Sequence, residues 1–188
     1  LGANAAAIPL VIADSADELG LQTMCKKTEL VISTVGPYAL YGELLVKTCC
    51  QLGTDYCDLT GEPQWISRMI SRYEDDAKRS GARIVNCCGF DSIPSDLGVK
   101  FLQDHAQQHF GSYCDQVKLR VKFLKGGASG GTIASGLNLY KEASADPEIR
   151  KEMRDPYSLC PAAHGFIQRQ HNVSVEFDED YDSWAGPF

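Results

Sequence analysis

Short apolar runs alternate with amphipathic stretches through the first half of the chain. The run at 29–35 is rich in aliphatic and β-branched residues and stops at Gly36 and Pro37. This pattern predicts a strand covered on both faces, as in a parallel sheet. Three more strands are predicted at 8–13, 54–60 and 83–88. Helices are predicted at 16–27, 44–52 and 63–80. A fourth helix is predicted to begin at Pro94, and it carries Leu97, Phe101, Leu102 and His105 on one face.

Local signals mark several of the predicted helix ends. Asp14 or Ser15 is expected to cap the helix at 16–27, because either side chain can accept a hydrogen bond from a first-turn N–H group. Pro63 is expected to open its helix, and Gly53 and Gly81 are expected to end theirs. Strands that alternate with helices of this length predict βαβ units, and hence an α/β fold around a parallel sheet with helices on both faces.

The pattern changes beyond about Gly111. Apolar and polar residues alternate strictly at 117–123 and again at 173–177, which predicts antiparallel strands with one face in water. A helix is predicted at 132–143 between them. We therefore expect a boundary near 110–115, with a first domain at 1–112 and a smaller α+β domain at 113–188.

Composition and charge exclude several classes of function. The net charge of −7 and the pI of about 5.0 argue against a nucleic-acid surface. No apolar run approaches the roughly 20 residues of a transmembrane helix. The eight cysteines include no C-x-x-C pair, which indicates buried thiols in a reducing compartment rather than disulfides or a metal site. We expect a cytoplasmic protein.

Candidate ligand-binding residues follow the predicted strands. Gly36, Gly61 and Gly89 each come just after a strand, and the carboxyl ends of parallel strands line the edge where nucleotides bind. Each glycine alone is also an ordinary turn residue. Asp14 ends the first predicted run and is expected either to contact a ribose or adenine or simply to cap a helix. The cofactor-binding candidates are Asp14, Thr34, Val35, Gly36, Pro37, Gly61 and Gly89.

A phosphate-binding glycine motif is not found in the sequence. No G-x-G-x-x-G occurs, and the glycine-rich stretch 126–131 fits neither that fingerprint nor a P-loop. We therefore expect that the first βαβ unit of a dinucleotide-binding domain is missing from this chain and that its cofactor site is incomplete.

Three phrases carry a resemblance to a known family. They are Gly36-Pro-Tyr-Ala-Leu-Tyr-Gly-Glu43, Asp58-Leu-Thr-Gly-Glu-Pro63 and Gly89-Phe-Asp-Ser-Ile-Pro-Ser-Asp-Leu-Gly98. In order and spacing they resemble the saccharopine dehydrogenase-like oxidoreductases, which include trans-acting enoyl reductases, and the resemblance covers about residues 8–145. It implies a Rossmann domain followed by an α+β domain that covers the cofactor. It also implies NAD- or NADP-dependent hydride transfer to or from a small or lipid-like substrate.

Catalytic residues can be nominated only by their place in the sequence. Tyr38, Tyr41 and Asp91 lie beside the predicted strand ends, and each could donate to charge that develops on a substrate. The tyrosines could equally pack at a helix start, and Asp91 could cap the helix that Pro94 opens. Glu62 is expected to favour the dipole of the helix at Pro63.

The sequence also allows two other functions and contains two other features that resemble ligand sites. A non-catalytic Rossmann-like module that binds a nucleotide or a partner protein is one alternative, and a methyltransferase is another. His105 and His109 stand at i, i+4 without a third ligand, so we expect no metal site. The acidic run 178–182 is expected to be a solvated loop. An unpaired apolar strand edge would favour self-association, for example as a homodimer.

Overall fold

The computed structural model describes residues 7–123, 125–161, 163–165 and 174–186. The described residues fall into two compact units, which divide between Ser158 and Leu159. None of the described helices is long and apolar enough to cross a membrane. The helices are α1 (Glu18–Cys25), α2 (Tyr38–Tyr41), α3 (Glu43–Leu52), α4 (Pro63–Ser80), α5 (Ile93–Phe110), α6 (Gly130–Ala145) and α7 (Pro147–Glu152). The strands are β1 (Leu30–Ser33), β2 (Asp55–Asp58), β3 (Ile84–Val85), β4 (Glu176–Asp178) and β5 (Ser183–Ala185).

The first unit contains a parallel three-stranded sheet in the order β1-β2-β3. Ser33 pairs with Asp58, and Cys57 pairs with Val85, so the three strands run in register toward one edge. Helices connect the strands, which confirms the predicted α/β class and the parallel sheet. The Rossmann assignment and the boundary near 110–115 stay predictions.

The core lies on one face of this sheet, beneath α1, α3 and α4. Tyr56 of β2 and Trp65 of α4 are each 1% exposed. The Cys25 and Cys49 thiols are fully buried and lie 3.8 Å apart. Burial raises the pKa of the Cys49 thiol, so it stays protonated and packs as a small apolar group. The buried core residues are Cys25, Tyr38, Val46, Cys49, Cys50, Tyr56, Trp65, Ile66, Met69 and Ala77.

Helix ends follow the local signals in most cases. Pro63 occupies the first turn of α4, and Gly81 ends that helix with φ 83°. Gly53 ends α3 with φ 76°, a conformation that a side chain would strain. The predicted cap of α1 is wrong, because Asp17 accepts from the Leu19 N–H. Asp14 instead accepts from the Ala16 N–H in the turn before it.

The second face of the sheet is largely exposed, contrary to prediction. Ile32 is 68% exposed and Val85 is 52% exposed, so β1 is not covered on both faces by the described residues. The run at 8–13 is also wrong as a strand. It pairs with no described strand, and Ile12 is 99% exposed. An apolar run forms a strand only where a neighbour satisfies its backbone groups.

The predicted elements of the later sequence are partly found. The predicted helices correspond to α5 and α6, although Phe101 on the apolar face of α5 is 70% exposed. The described residues of 117–123 form no strand, so that prediction is wrong. In the second unit, β4 pairs antiparallel with β5, which confirms an antiparallel strand at Phe177. Val173, at the start of the predicted strand, lies outside the described residues.

Candidate functional site

The carboxyl ends of β2 and β3 are joined through Asp58, at the end of β2. Its backbone carbonyl accepts from the Cys88 N–H at 2.6 Å, and its carboxylate accepts from the Asn86 amide at 2.8 Å and the Cys87 N–H at 3.1 Å. These bonds hold the chain after β3 against the end of β2. Cys87 has φ 59°, an uncommon value for a residue with a side chain, and the bond to Asp58 fixes it there.

The Asp58 carboxylate also organises its own strand end. It is 2% exposed, and it accepts from the Tyr56 hydroxyl at 3.0 Å and the Thr60 N–H at 3.1 Å. Burial and then the nearby Asp58 charge raise the pKa of Tyr56, so that hydroxyl remains a donor. Four donors therefore replace the water that a buried carboxylate has lost.

The Glu62 carboxylate holds the loop that follows β1. It is 1% exposed and accepts from the backbone N–H groups of Tyr38 at 2.8 Å and Ala39 at 3.0 Å. It also accepts from the Ser135 hydroxyl of α6 at 2.8 Å. The sequence predicts that Glu62 favours the dipole of the helix at Pro63. Its side chain makes no cap hydrogen bond there and binds the first turn of α2 instead.

Tyr38 is a buried member of the same network. Its hydroxyl donates to the Ser33 carbonyl at 3.0 Å and accepts from the Leu59 N–H at 3.4 Å. Its ring packs against Trp65, with 5.5 Å between the ring centroids. Burial raises the pKa of the Tyr38 hydroxyl. Tyr38 therefore packs at the start of α2, which is one of the two roles that the sequence allows for it.

The other two catalytic candidates are exposed. Tyr41 ends α2 and is 49% exposed. Asp91 lies in the turn before α5 and is also exposed. Ser92 precedes α5 directly and makes no side-chain cap hydrogen bond. Both candidates can reach solvent or a ligand, unlike the hydroxyl of Tyr38.

The three strand-end glycines have different surroundings. A Cβ at Gly61 would meet no described heavy atom within 4 Å, and one at Gly36 would lie 3.4 Å from the Tyr38 ring and 3.6 Å from the Ser135 hydroxyl. A Cβ at Gly89 would come within 2.9 Å of the Leu59 Cβ. Gly89 is therefore required by packing, and Gly61 leaves room for a ligand at the sheet edge.

The remaining candidates divide by exposure. Thr34 and Val35 are exposed beyond the end of β1, and Gly36 is half-buried. Pro37 is buried, behind a cis Gly36–Pro37 bond. Asp14 is exposed and serves the turn before α1. A dinucleotide fits this edge in part, since Thr34, Val35 and Gly61 offer open surface. The described residues show no glycine-rich turn that would hold its phosphates.

Sequence reasoning missed the side chains that shape this edge. Asp58 and Glu62 both lie in the quoted phrase at 58–63, but their partners are distant in sequence. Ser135 is 73 residues from Glu62, and Asn86 is 28 residues from Asp58.

His105 and His109 lie on α5, where their rings stack with 4.0 Å between centroids.

Comparison with curated proteins gives consistent names. The chain is 45% identical over 161 residues to a Mycobacterium tuberculosis protein named "Putative trans-acting enoyl reductase". It is 42% identical over 160 residues to the trans-acting enoyl reductase of Mycobacterium bovis, and 41% identical over 160 residues to that of Mycobacterium ulcerans. These matches cover 85–86% of the chain and 38% of each relative.

The matched region is only a part of each relative. The chain spans 38% of the length of the curated relatives it matches. No protein-family model and no solved structure matches it. The similarity to these relatives supports the predicted resemblance to enoyl reductases. The wider saccharopine dehydrogenase-like assignment and the cofactor stay proposals.

Proposed function

We propose that the protein is an NADPH- or NADH-dependent enoyl reductase of the saccharopine dehydrogenase-like type. The similarity to trans-acting enoyl reductases over 86% of the chain carries this proposal. The strand-end edge supports it, because ligands of parallel α/β sheets bind at the carboxyl ends of the strands. The substrate would be small or lipid-like and carry a conjugated carbon–carbon double bond. The cytoplasm is the proposed location.

The described residues would contribute position and shape to such a reaction. Thr34, Val35 and Gly36 would contact the cofactor along the end of β1, and Gly61 would leave space beside them. A bound reduced nicotinamide would supply the hydride that adds to one carbon of the double bond. The chain would place the substrate and deliver a proton to the other carbon.

The proton donor is proposed among Tyr38, Tyr41 and Asp91. Exposure favours Tyr41, because the Tyr38 hydroxyl is buried and already donates to the Ser33 carbonyl. Asp91 is exposed as well, in the turn before α5. Tyr41→Phe would keep the ring and remove only the donor.

Amide hydrogen exchange tests the proposed cofactor site. We expect millimolar NADPH or NADH to slow exchange at residues 34–36 and 61, whereas S-adenosylmethionine should leave these amides unchanged. High concentrations are needed because the sequence has no glycine-rich phosphate turn, so affinity should be weaker than about 1 μM, the range of a complete site. Slowing by S-adenosylmethionine alone would favour a methyltransferase, and no slowing by either nicotinamide would refute the proposal.

The exposed sheet face favours one alternative, a module that binds a partner protein. Leu30, Ile32 and Val85 form an apolar surface on the side away from the core. Exposed apolar surface of this kind commonly marks an interaction site. An unchanged exchange pattern with every nucleotide, together with slower exchange in β1 on mixing with a partner, would favour this alternative.

A further inference from the structure

The Glu62 carboxylate is bonded to two segments that are far apart in the sequence. Its backbone donors, Tyr38 and Ala39, belong to the loop after β1, and its third donor is the Ser135 hydroxyl of α6. A carboxylate that is 1% exposed depends on such donors, because they replace its hydration. The position of this side chain and the positions of both segments are therefore fixed together.

Within the first unit, helix α6 is attached mainly through polar contacts. All of its residues are described, and none is buried. Near its end, Glu142 accepts from the Gln64 amide and pairs with Arg68, each at 3.3 Å. Near its start, Ser135 donates to Glu62. With little apolar burial to hold α6, these contacts set its placement over the loop.

The start of α6 directly adjoins the proposed cofactor loop. A Cβ at Gly36 would lie 3.6 Å from the Ser135 hydroxyl, so α6 covers one side of Gly36. Thr34 and Val35, the two residues before Gly36, remain exposed. A shift of Ser135 would therefore alter the shape of the loop that the cofactor is proposed to contact.

We propose that Glu62 is a positioning residue that sets the conformation of the Gly36–Ala39 loop for the nicotinamide cofactor and couples it to α6 through Ser135. The cofactor part of this inference rests on the proposed function. The hydrogen-bonding part does not, and it can be measured without any ligand.

Ser135→Ala tests the coupling in the ligand-free chain. The change removes one donor, and we expect amide exchange at Tyr38 and Ala39 to become about tenfold faster, the factor that corresponds to losing one hydrogen bond to a charged group. Glu62→Gln should have a larger effect, because its amide nitrogen would face a backbone N–H group. Ser144→Ala is the matched control, since Ser144 lies on α6 and donates to the Tyr140 carbonyl. Unchanged exchange in Ser135→Ala would overturn the proposal even if Glu62→Gln failed to fold.

NADPH affinity distinguishes positioning of the cofactor from a structural role alone. We expect Ser135→Ala to raise the Kd for NADPH about three- to tenfold while the chain remains folded and the urea midpoint falls only slightly, and Ser135→Thr, which keeps the hydroxyl, to restore the affinity. An unchanged Kd, or a Kd that rises only as far as the urea midpoint falls, would overturn the positioning role. A wild-type chain that NADPH does not protect would refute the proposed function, while faster exchange at Tyr38 in Ser135→Ala would still support the coupling.

Discussion

At the scale of single residues, Gly61 and Gly89 follow neighbouring strands but tolerate a side chain differently. We expect Gly89→Ala to destabilise the chain by about 1–3 kcal/mol, because the new methyl group would overlap Leu59. Gly61→Ala should change stability by less than about 0.5 kcal/mol, because its Cβ would enter open space. Urea unfolding of both variants measures this difference, and equal midpoints would contradict it.

Asp58 is the residue whose side chain makes the most hydrogen bonds at this edge. In Asp58→Asn one carboxylate oxygen becomes an amide donor that faces other donors, so we expect a loss of about 2–4 kcal/mol in the free energy of unfolding. Asp75→Asn on the exposed side of α4 is the control and should change little. If Asp58→Asn and Asp75→Asn had the same urea midpoint, the Asp58 network would not hold the strand ends.

At the scale of elements, Asp55 ties the start of β2 to the start of β3. Its carboxylate accepts from the backbone N–H and the guanidinium of Arg83. The hydrogen bonds from Arg83 lower the pKa of Asp55. Because the folded-state pKa lies below the unfolded value, this pair contributes stability above about pH 4 and loses it as the pH falls through the folded-state pKa.

Asp55→Asn should therefore flatten the acid side of the stability curve. We expect wild type to lose stability more steeply than Asp55→Asn as the pH falls below about 4, because only wild type must protonate this pair. Urea midpoints measured at several pH values from neutral to acid give the two slopes. Asp75→Asn should follow wild type. Parallel curves for wild type and Asp55→Asn would show that the pair contributes no pH-dependent stability.

Elements with signals inside their own sequence were predicted best. Helix α4 carries Pro63 at its start and Gly81 after its end, and both act through local backbone geometry. The alternation at 117–123 failed as a strand, because a strand also needs a neighbour that local pattern does not supply. The burial predicted for Ile32 failed for a related reason. Its residue type suits a covered strand, but coverage depends on elements elsewhere.

In the candidate site too, some features follow from local sequence and others depend on distant residues. Its location at the strand ends followed from the parallel sheet, which the alternation of strands and helices predicted. The contacts within it did not, because Glu62 and Ser135 are 73 residues apart and meet only in the folded chain. Glu62 is an example. A glutamate before Pro63 is typical of a residue that favours the helix dipole, and nothing in the local sequence indicates that it binds the loop after β1.

At the scale of the whole molecule, β1 presents an open edge beside an apolar face. It is the outer strand of its sheet, and no described strand pairs with its other side. Leu30 and Ile32 next to this edge are 46% and 68% exposed. Unpaired strand edges with apolar side chains tend to associate with another chain.

We therefore expect the chain to self-associate as its concentration rises. Light scattering over a dilution series should show a mass that increases with concentration, and Ile32→Lys should reduce the increase by placing a charge on the exposed face. Thr23→Lys, a charge added on exposed surface of α1, is the control. A constant monomer mass at high concentration would contradict the expectation.

The contacts of Glu62 also bear on the order in which the chain folds. Its bonds to Tyr38 and Ala39 span 24 and 23 residues, whereas its bond to Ser135 spans 73. Contacts between distant residues close larger loops, which costs more chain entropy before they form. The sheet and helices α1, α3 and α4 can therefore assemble first, with the loop after β1 only partly anchored. On a ribosome, this loop would reach its final conformation only after the residues of α6 have left the exit tunnel.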